Sequence, residues 1–147
     1  DDEPLPDLSV FPEELIEFES PPGTYFDAYP ILMISAASLQ TMQNRNQEAN
    51  FDVRRFRPNF LLSDVTSSDA FPELELIGRT VKIGTAVLKV TLHCPRCVMT
   101  THGFSDLPRD TSIMRSLVHE AGGSLGVYAE IVTPGQVRTG DVVEVMQ

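Results

Sequence analysis

Two cysteines with C-x-x-C spacing are the residues of this chain best suited to chemistry. Cys94 and Cys97 are its only cysteines, and both follow an apolar, β-branched run at residues 87–92. Pro95 lacks a backbone N–H and is expected to end the predicted strand. Arg96 places a permanent positive charge beside Cys97, which favours the thiolate over the thiol. A soft, partly activated sulfur at a strand end is suited to metal ligation or to thiol chemistry.

A second unusual segment, residues 51–62, holds three arginines within four positions of an otherwise acidic chain. Pro58 favours an extended backbone before a short strand at residues 59–62. In an extended strand Arg55 and Arg57 share one face with Asn59, whereas Arg54 lies on the opposite face. Two guanidiniums and an amide suit an anionic, planar ligand. The alternative is a solvated edge strand that uses charge to prevent pairing with another chain.

The cysteines allow several readings. A structural zinc site needs four ligands, and C-x-x-C supplies two of them. His93 and His102 are near in sequence, but His93 is expected to point away from Cys94 along the strand. Thioredoxin-like exchange needs a helix after the C-x-x-C motif, whereas residues 98–101 are β-prone.

Other enzyme classes have little support in the sequence. A hydrolase needs a base beside its nucleophile, and His119 lies in the middle of a predicted helix. The chain has no H-x-E motif of zinc deaminases and no glycine-rich phosphate loop, and pyridoxal phosphate is not expected. One reading uses both unusual segments: a thiolate binds a transition metal, and the arginines hold an anionic group of the metal's carrier.

Composition points to one domain preceded by an acidic segment. The chain has 147 residues and a net charge of −10, and its first 20 residues hold eight acidic and no basic residues. We expect residues 1–26 to form a Pro-rich leader and residues 27–147 to form the domain. No broad basic face suggests nucleic-acid binding, and no apolar run is long enough to span a bilayer. Without a visible secretory signal or disulfide framework, a cytoplasmic setting is expected.

The hydrophobic pattern predicts many short strands and two small helices. Ser38 is expected to cap a helix at 39–46, and Asp110 or Thr111 a second helix at 113–120 that ends at Gly122. Gly84 is expected to join two strands of a hairpin. This pattern indicates a mainly β, α+β fold that resembles a barrel. The predicted strands are residues 31–34, 59–62, 81–83, 87–92, 98–101, 127–132 and 142–146.

Four motifs in the same order resemble the MOSC domain. This domain is found at the C-terminus of molybdenum cofactor sulfurases and forms the core of the mitochondrial amidoxime-reducing component and its bacterial relatives. The motifs are D-A-Y-P-I-L-M-I-S with A-S-L at residues 27–39, R-F-R-P-N at 55–59, C-P-R-C-V-M-T-T at 94–101 and R-T-G-D-V-V at 138–143.

The resemblance implies a β-barrel-like fold with two or three short helices that binds the molybdenum–pyranopterin (molybdopterin) cofactor. It implies that Cys97 ligates molybdenum and is the catalytic residue, whereas Cys94 is not a ligand. Arg57 and Asn59 are expected to contact the pterin or its phosphate, and the segment around Ala28 and Tyr29 to line the cofactor. The full expected cofactor-binding set is Tyr29, Arg55, Arg57, Asn59, Arg96 and Cys97.

Two functions are compatible with this resemblance. The first is an oxidoreductase that reduces small N-hydroxylated compounds with electrons from a donor protein. The second is a sulfur carrier or cofactor-delivery module, in which Cys97 holds a persulfide or hands the cofactor to another protein. A persulfide on Cys97 without reductase activity would favour the second.

Overall fold

A computed structural model describes residues 28–63 and 69–146 as a mixed six-stranded sheet with two α-helices. The sheet order is β2-β1-β5-β4-β3-β6, and only β1 and β2 pair in parallel. The strands are β1 Ile31–Ser35, β2 Phe60–Leu62, β3 Thr80–Ile83, β4 Ala86–Pro95, β5 Ser124–Thr133 and β6 Val143–Met146, and the helices are α1 Ala36–Arg45 and α2 Ser112–Ala121.

The long strands β4 and β5 form the centre of the sheet. They pair antiparallel from Val87↔Thr133 to Pro95↔Ser124, with three irregularities in the register. Such bulges increase the local twist of a strand pair, and the sheet curls into a half-barrel. The predicted barrel-like α+β fold with short helices is confirmed.

Two apolar clusters stabilise the sheet. One includes Met42 of α1 together with Ile113 and Leu117 of α2, so both helices pack into it. The other includes Met33 and Val90 and extends across β3, β4 and β5. Burying each such side chain contributes about 1.5–3 kcal/mol to folding. The helices therefore stabilise the end of the sheet from which the C-x-x-C segment emerges.

Several sequence predictions for local structure are confirmed. Gly84 joins β3 to β4 with φ +59°, in a tight connection where glycine is favoured. The oxygen Oδ1 of Asp110 accepts hydrogen bonds from both the backbone N–H and the hydroxyl of Ser112 at the start of α2. Gly122 ends α2 in the left-handed conformation, with φ +63°.

The predicted cap of α1 is wrong by three residues. Ser35, the last residue of β1, is the N-cap, and its hydroxyl accepts a hydrogen bond from the backbone N–H of Ser38. Ser38 is instead a fully buried residue within the first turn. Both serines fit the cap preference, and the end of β1 decides which one occupies that position.

The predicted strand at residues 98–101 is also wrong, because Val98–Thr101 forms a 3-10 helix. The hydroxyls of Thr100 and Thr101 donate to the carbonyl oxygens of Cys97 and Val98, three residues earlier. Such local side-chain bonds compete with strand pairing. The β propensity of this segment is overridden by its threonine hydroxyls.

The expected leader and its division from the domain lie almost entirely outside the residues that the structure describes. Residues 1–27 are not described, nor are residues 64–68 or 147. Within the described ranges, no helix combines the length and the apolar character that crossing a membrane requires.

Candidate functional site

Cys97 presents a free thiol at the surface, two residues after the end of β4. It is the N-cap residue of the 3-10 helix Val98–Thr101, and its side chain is exposed. Cys94, in contrast, is 2% exposed and belongs to the apolar core. The two cysteines of the motif therefore differ in role, and only Cys97 can meet a ligand from solvent.

Arg96 connects the C-x-x-C segment to the arginine-rich segment. Its Nη1 donates to the carbonyl oxygen of Phe56 at 3.1 Å, and its Nε donates to the carbonyl oxygen of Leu125 at 2.9 Å. The guanidinium carbon lies 5.3 Å from the centre of the Phe56 ring. Because Phe56 precedes Arg57 and Arg96 precedes Cys97, this contact places the two motifs side by side.

Arg96 has a structural role in addition to the positive charge that the sequence places beside Cys97. Its hydrogen bonds go to the carbonyls of Phe56 and Leu125, so the guanidinium is a structural link. Its Nη2 is the one buried side-chain nitrogen or oxygen without a hydrogen-bond partner within the described part of the chain. A buried donor of this kind carries a desolvation cost.

Arg57 and Asn59 expose polar groups beside this link. Arg57 is exposed, and no hydrogen bond or ion pair of its guanidinium occurs among residues 28–63 and 69–146. Its φ of +52° is unusual for a residue other than glycine and costs about 1–2 kcal/mol. Such strained residues cluster at functional sites.

The side chain of Asn59 fixes its own position against β1. Its Oδ1 accepts from the backbone N–H of Leu32 at 2.8 Å, and its backbone N–H donates to the carbonyl of Leu32 at 2.9 Å. This pair of bonds extends the parallel contact of β1 and β2 by one residue. The Asn59 side chain is thus held in one orientation, with its amide nitrogen left for another acceptor.

Arg55 does not share a face with Arg57, so the arrangement expected for an extended backbone through this segment is wrong. Asp52 caps a 3-10 helix at Val53–Arg55, which replaces the period-two alternation of a strand. Arg55 is 5% exposed, so it is not placed to contact a cofactor directly. Its guanidinium donates to four backbone carbonyls, those of Asn50, Thr100, His102 and Pro108.

The contacts of Arg55 give it a different role, because they tie the segment after Cys97 to the arginine-rich segment. Thr100, His102 and Pro108 all belong to the 3-10 helix and loop that follow the C-x-x-C motif. A single buried guanidinium therefore holds this loop from Thr100 to Pro108.

Tyr29 lies beside the start of β1, as the sequence motif requires. Its ring stacks on that of Tyr128 with 5.3 Å between centroids and 25° between planes. Tyr128 pairs with Leu32 in the sheet, and Leu32 holds Asn59. Tyr29 is thus connected to Asn59 through Tyr128 and Leu32. Ala28, which precedes Tyr29 in sequence, is buried.

An exposed ion-pair cluster beside the site could not be identified from the sequence. Arg54 contacts Asp52 at 2.8 Å and Asp106 at 2.7 Å, and Asp106 lies in the loop after Cys97. Hydrogen bonds from Arg54 lower the pKa of Asp52 to about 2 and also lower the pKa of Asp106. The two acids in turn raise the pKa of the Arg54 guanidinium. Only the folded structure brings position 106 to position 54.

A complete protein-only metal site is not formed by the described residues. No group of three or more His, Cys, Asp or Glu side chains in residues 28–63 and 69–146 is arranged to hold a metal ion. His93 is exposed, whereas Cys94 beside it is buried, in agreement with their expected opposite directions. Within these ranges the structure thus offers one exposed thiol, Cys97, and no four-ligand zinc site.

Comparison with known proteins gives the family. The family model described as "MOSC domain" matches residues 22–144. The chain belongs to the MOSC domain family. The resemblance expected from the four sequence motifs is therefore confirmed.

Curated relatives of this MOSC chain include amidoxime-reducing components of mammals. It is 32% identical over 134 residues to mitochondrial amidoxime-reducing component 1 of Mus musculus, which covers 81% of this chain and 37% of the relative. It is 30% identical over 135 residues to mitochondrial amidoxime reducing component 2 of Bos taurus, which covers 81% of this chain and 38% of the relative. The MOSC chain thus spans less than two fifths of the length of these relatives.

Solved structures similar to this MOSC chain include two YiiM proteins. YiiM from Geobacillus stearothermophilus matches with a TM-score of 0.57 and 19% identity, over 81% of this chain and 55% of YiiM. YiiM from Escherichia coli matches with a TM-score of 0.59 and 15% identity, over the same shares. At these identities the likeness establishes the fold alone.

Proposed function

We propose that this MOSC chain binds a molybdenum–pyranopterin cofactor and that the Cys97 thiolate is the protein ligand of the metal. The observation that carries this proposal is the exposed free thiol of Cys97 in a segment that the contact of Arg96 with Phe56 joins to the segment of the exposed, strained Arg57. A soft thiolate is a suitable ligand for a transition metal. A free guanidinium is a suitable partner for a phosphate or a polar ring edge.

The donor groups around Cys97 fit such a cofactor in part. Arg57 and the amide nitrogen of Asn59 are available to donate to it, and Tyr29 is connected to Asn59 through Tyr128 and Leu32. Arg55 and Arg96 already donate to backbone carbonyls, so we assign them positioning roles. We therefore expect direct contacts from Cys97, Arg57, Asn59 and Tyr29.

The proposed activity is the reduction of a small N-hydroxylated compound. Support comes from the relatives, which are named for reducing amidoximes. Conversion of N–OH to N–H consumes two electrons and two protons and releases water, and we propose an electron-donor protein as the source of the electrons. When bound, molybdenum supplies the redox chemistry, while the protein supplies binding, orientation and electrostatics.

The chain's own residues have definable tasks in this activity. Arg55 fixes the loop from Thr100 to Pro108 and so limits the positions that Cys97 can take at its start. Asn59, anchored to Leu32, presents its amide in one orientation. Rigid positioning of this kind reduces the entropy that binding or reaction would otherwise lose.

An assay with a chemical electron donor tests the proposed activity without a partner. The cofactor-loaded chain is given benzamidoxime and a strong reductant, and benzamidine formation is measured. We expect product from the unaltered chain and from Cys94→Ala, and none from Cys97→Ala. Equal product formation by Cys97→Ala would contradict the catalytic role of Cys97.

A second candidate is sulfur transfer or cofactor delivery, which an exposed, free Cys97 also favours. In that case mass spectrometry of the freshly purified chain detects a persulfide on Cys97, and the reductase assay detects no product. The domain division at residue 27 and the cytoplasmic setting stay predictions.

A further inference from the structure

A small cavity lies outside the proposed cofactor site. It has a volume of about 220 Å³, and neither Cys97 nor Arg57, Asn59 or Tyr29 lines it. Its walls come from the 3-10 helix Pro72–Leu76, the end of β4, the C-terminal end of α2 and the start of β5. The lining residues are Phe71, Glu73, Leu74, His93, Ala121, Gly122, Ser124, Leu125 and Gly126.

Glu73 is the acidic group of this cavity, and only 1% of its surface is exposed. Its Oε2 accepts from the hydroxyl of Ser35 at 2.7 Å and from the hydroxyl of Ser38. Both bonds fall on the same oxygen. No hydrogen bond from a described residue to Oε1 is present. Oε1 is also not among the described side-chain atoms that are both fully buried and without a hydrogen-bond partner, so it is not closed off in the interior.

Oε1 of Glu73 is an acceptor that the two serines leave available. Burial of a carboxylate is costly unless each oxygen is compensated by donors or by an opposite charge. The serines compensate Oε2 alone. A donor or cation in the cavity would compensate Oε1.

Backbone groups around the cavity favour a positive ligand. The C-terminal end of α2 contributes Ala121 and Gly122 to the wall, and this end of a helix carries partial negative charge. The charge of nearby Arg45 is balanced by Glu120, with 3.4 Å between the charged atoms. His93 and Ser124 add hydrogen-bonding groups.

The other walls are apolar. Phe71, Leu74 and Leu125 line the cavity, and the guanidinium of Arg45 lies 5.4 Å from the centre of the Phe71 ring. The cavity is smaller than the roughly 300–1,000 Å³ usual for ligand pockets, which limits its occupant to a small molecule.

We propose that this cavity binds a small primary ammonium ion that carries one short apolar group. The ammonium donates to Oε1 of Glu73, and the apolar group packs against Phe71, Leu74 and Leu125. Such a site is independent of the proposed molybdenum cofactor and does not need Cys97.

The direct test compares two ligands of nearly equal shape on the unaltered 147-residue chain. Benzylammonium and benzyl alcohol are each titrated while amide resonances are followed by NMR. We expect benzylammonium to shift the amides of Gly122, Ser124 and Gly126, and to bind about tenfold more tightly than the alcohol because its hydrogen bond is charge-assisted. This comparison uses no variant and therefore does not depend on a substituted chain folding.

Two matched variants test the role of Glu73. Glu73→Gln keeps an oxygen that accepts from Ser35 and Ser38 but removes the charge, and should abolish the preference for benzylammonium. Glu75→Gln removes the same charge from the same 3-10 helix at an exposed position outside the cavity lining, and should leave the preference unchanged.

Three results would overturn the proposed ammonium site. Equal affinity for the two ligands would show an apolar cavity without a counter-ion. Shifts confined to other surfaces would show general attraction to the acidic chain, and no shifts at all would show that the cavity binds neither ligand.

Discussion

Arg96 donates a hydrogen bond of 3.1 Å to the carbonyl oxygen of Phe56, and its guanidinium lies over the ring of the same residue. This one pair joins the segment that carries Cys97 to the segment that carries Arg57. Forty residues separate them in sequence. The shape of the candidate site therefore depends on a contact that neither motif reveals alone.

Substitution of Arg96 by lysine should destabilise the fold. Lysine keeps the charge but cannot donate to the carbonyls of Phe56 and Leu125 in the same fork geometry, so we expect a loss of about 2 kcal/mol in the free energy of unfolding. Urea denaturation measures it. Arg57→Lys is the control, because Arg57 is exposed, and its effect should stay within about 0.5 kcal/mol. Equal losses in both variants would contradict the structural role of Arg96.

Arg55→Lys should loosen the loop after Cys97. Lysine cannot reach the carbonyls of Asn50, Thr100, His102 and Pro108 together, and the carbonyls left without donors should cost about 2–3 kcal/mol. Hydrogen exchange should become faster in residues 98–110.

The control for Arg55 is Arg54→Ala, which removes only exposed ion pairs with Asp52 and Asp106. Exposed pairs of this kind contribute little to stability. We expect Arg54→Ala to leave exchange at Thr100 and Thr101 unchanged. Faster exchange there in both variants would show that Arg55 has no special role in holding the loop.

Ser35→Ala should weaken the start of α1. It removes the hydroxyl that accepts from the backbone N–H of Ser38 and donates to Glu73, and a lost N-cap costs about 1 kcal/mol. Thr111→Ala at the N-cap of α2 is the matched control, since Thr111 makes no capping bond with its side chain. Thermal denaturation should therefore show a clearly larger loss for Ser35→Ala, and similar losses would contradict the assigned cap.

The ionised carboxylate of Asp52 should stabilise the fold, and this stabilisation should be lost in acid. Its pKa is lowered from 3.8 to about 2 by hydrogen bonds from Arg54, so its contribution is fully present above pH 3.8. That contribution is lost as the pH falls through about 2.

Asp52→Asn tests this dependence, because asparagine can still cap the 3-10 helix but does not titrate. Below the folded pKa the two chains should be equally stable, whereas above pH 3.8 the unaltered chain should be more stable. Unfolding measured across this range gives the difference. A constant difference at all pH values would show that the Asp52 charge does not contribute.

Sequence patterns predict the strands well and the site only in part. The apolar run at residues 87–92 and the glycines at positions 84 and 122 indicate β4, its hairpin and the end of α2, because local propensity and the fold agree there. At Val98–Thr101 they disagree, since threonine hydroxyls satisfy the backbone locally. The roles of Arg55 and Arg96 depend on carbonyls distant in sequence, which no local pattern identifies.

Glu73 shows the same limit for the interior of the fold. In sequence it is one acidic residue of a polar loop, whereas in the structure it is buried with Ser35 and Ser38. A charged group can be buried where the fold brings hydrogen-bond donors to it. For Glu73 these donors are the hydroxyls of Ser38 and Ser35, which lie 35 and 38 positions away in sequence.

The central claim is that Cys97 holds molybdenum, and the molybdenum-to-protein ratio tests it most directly. The unaltered chain, Cys97→Ala and Cys94→Ala are produced in cells that make the cofactor, and elemental analysis of each freshly purified protein measures molybdenum and zinc. We predict molybdenum near one atom per chain in the unaltered protein and in Cys94→Ala, with loss in Cys97→Ala while the fold is retained. Full molybdenum retention in folded Cys97→Ala, or zinc in place of molybdenum in the unaltered chain, would contradict it.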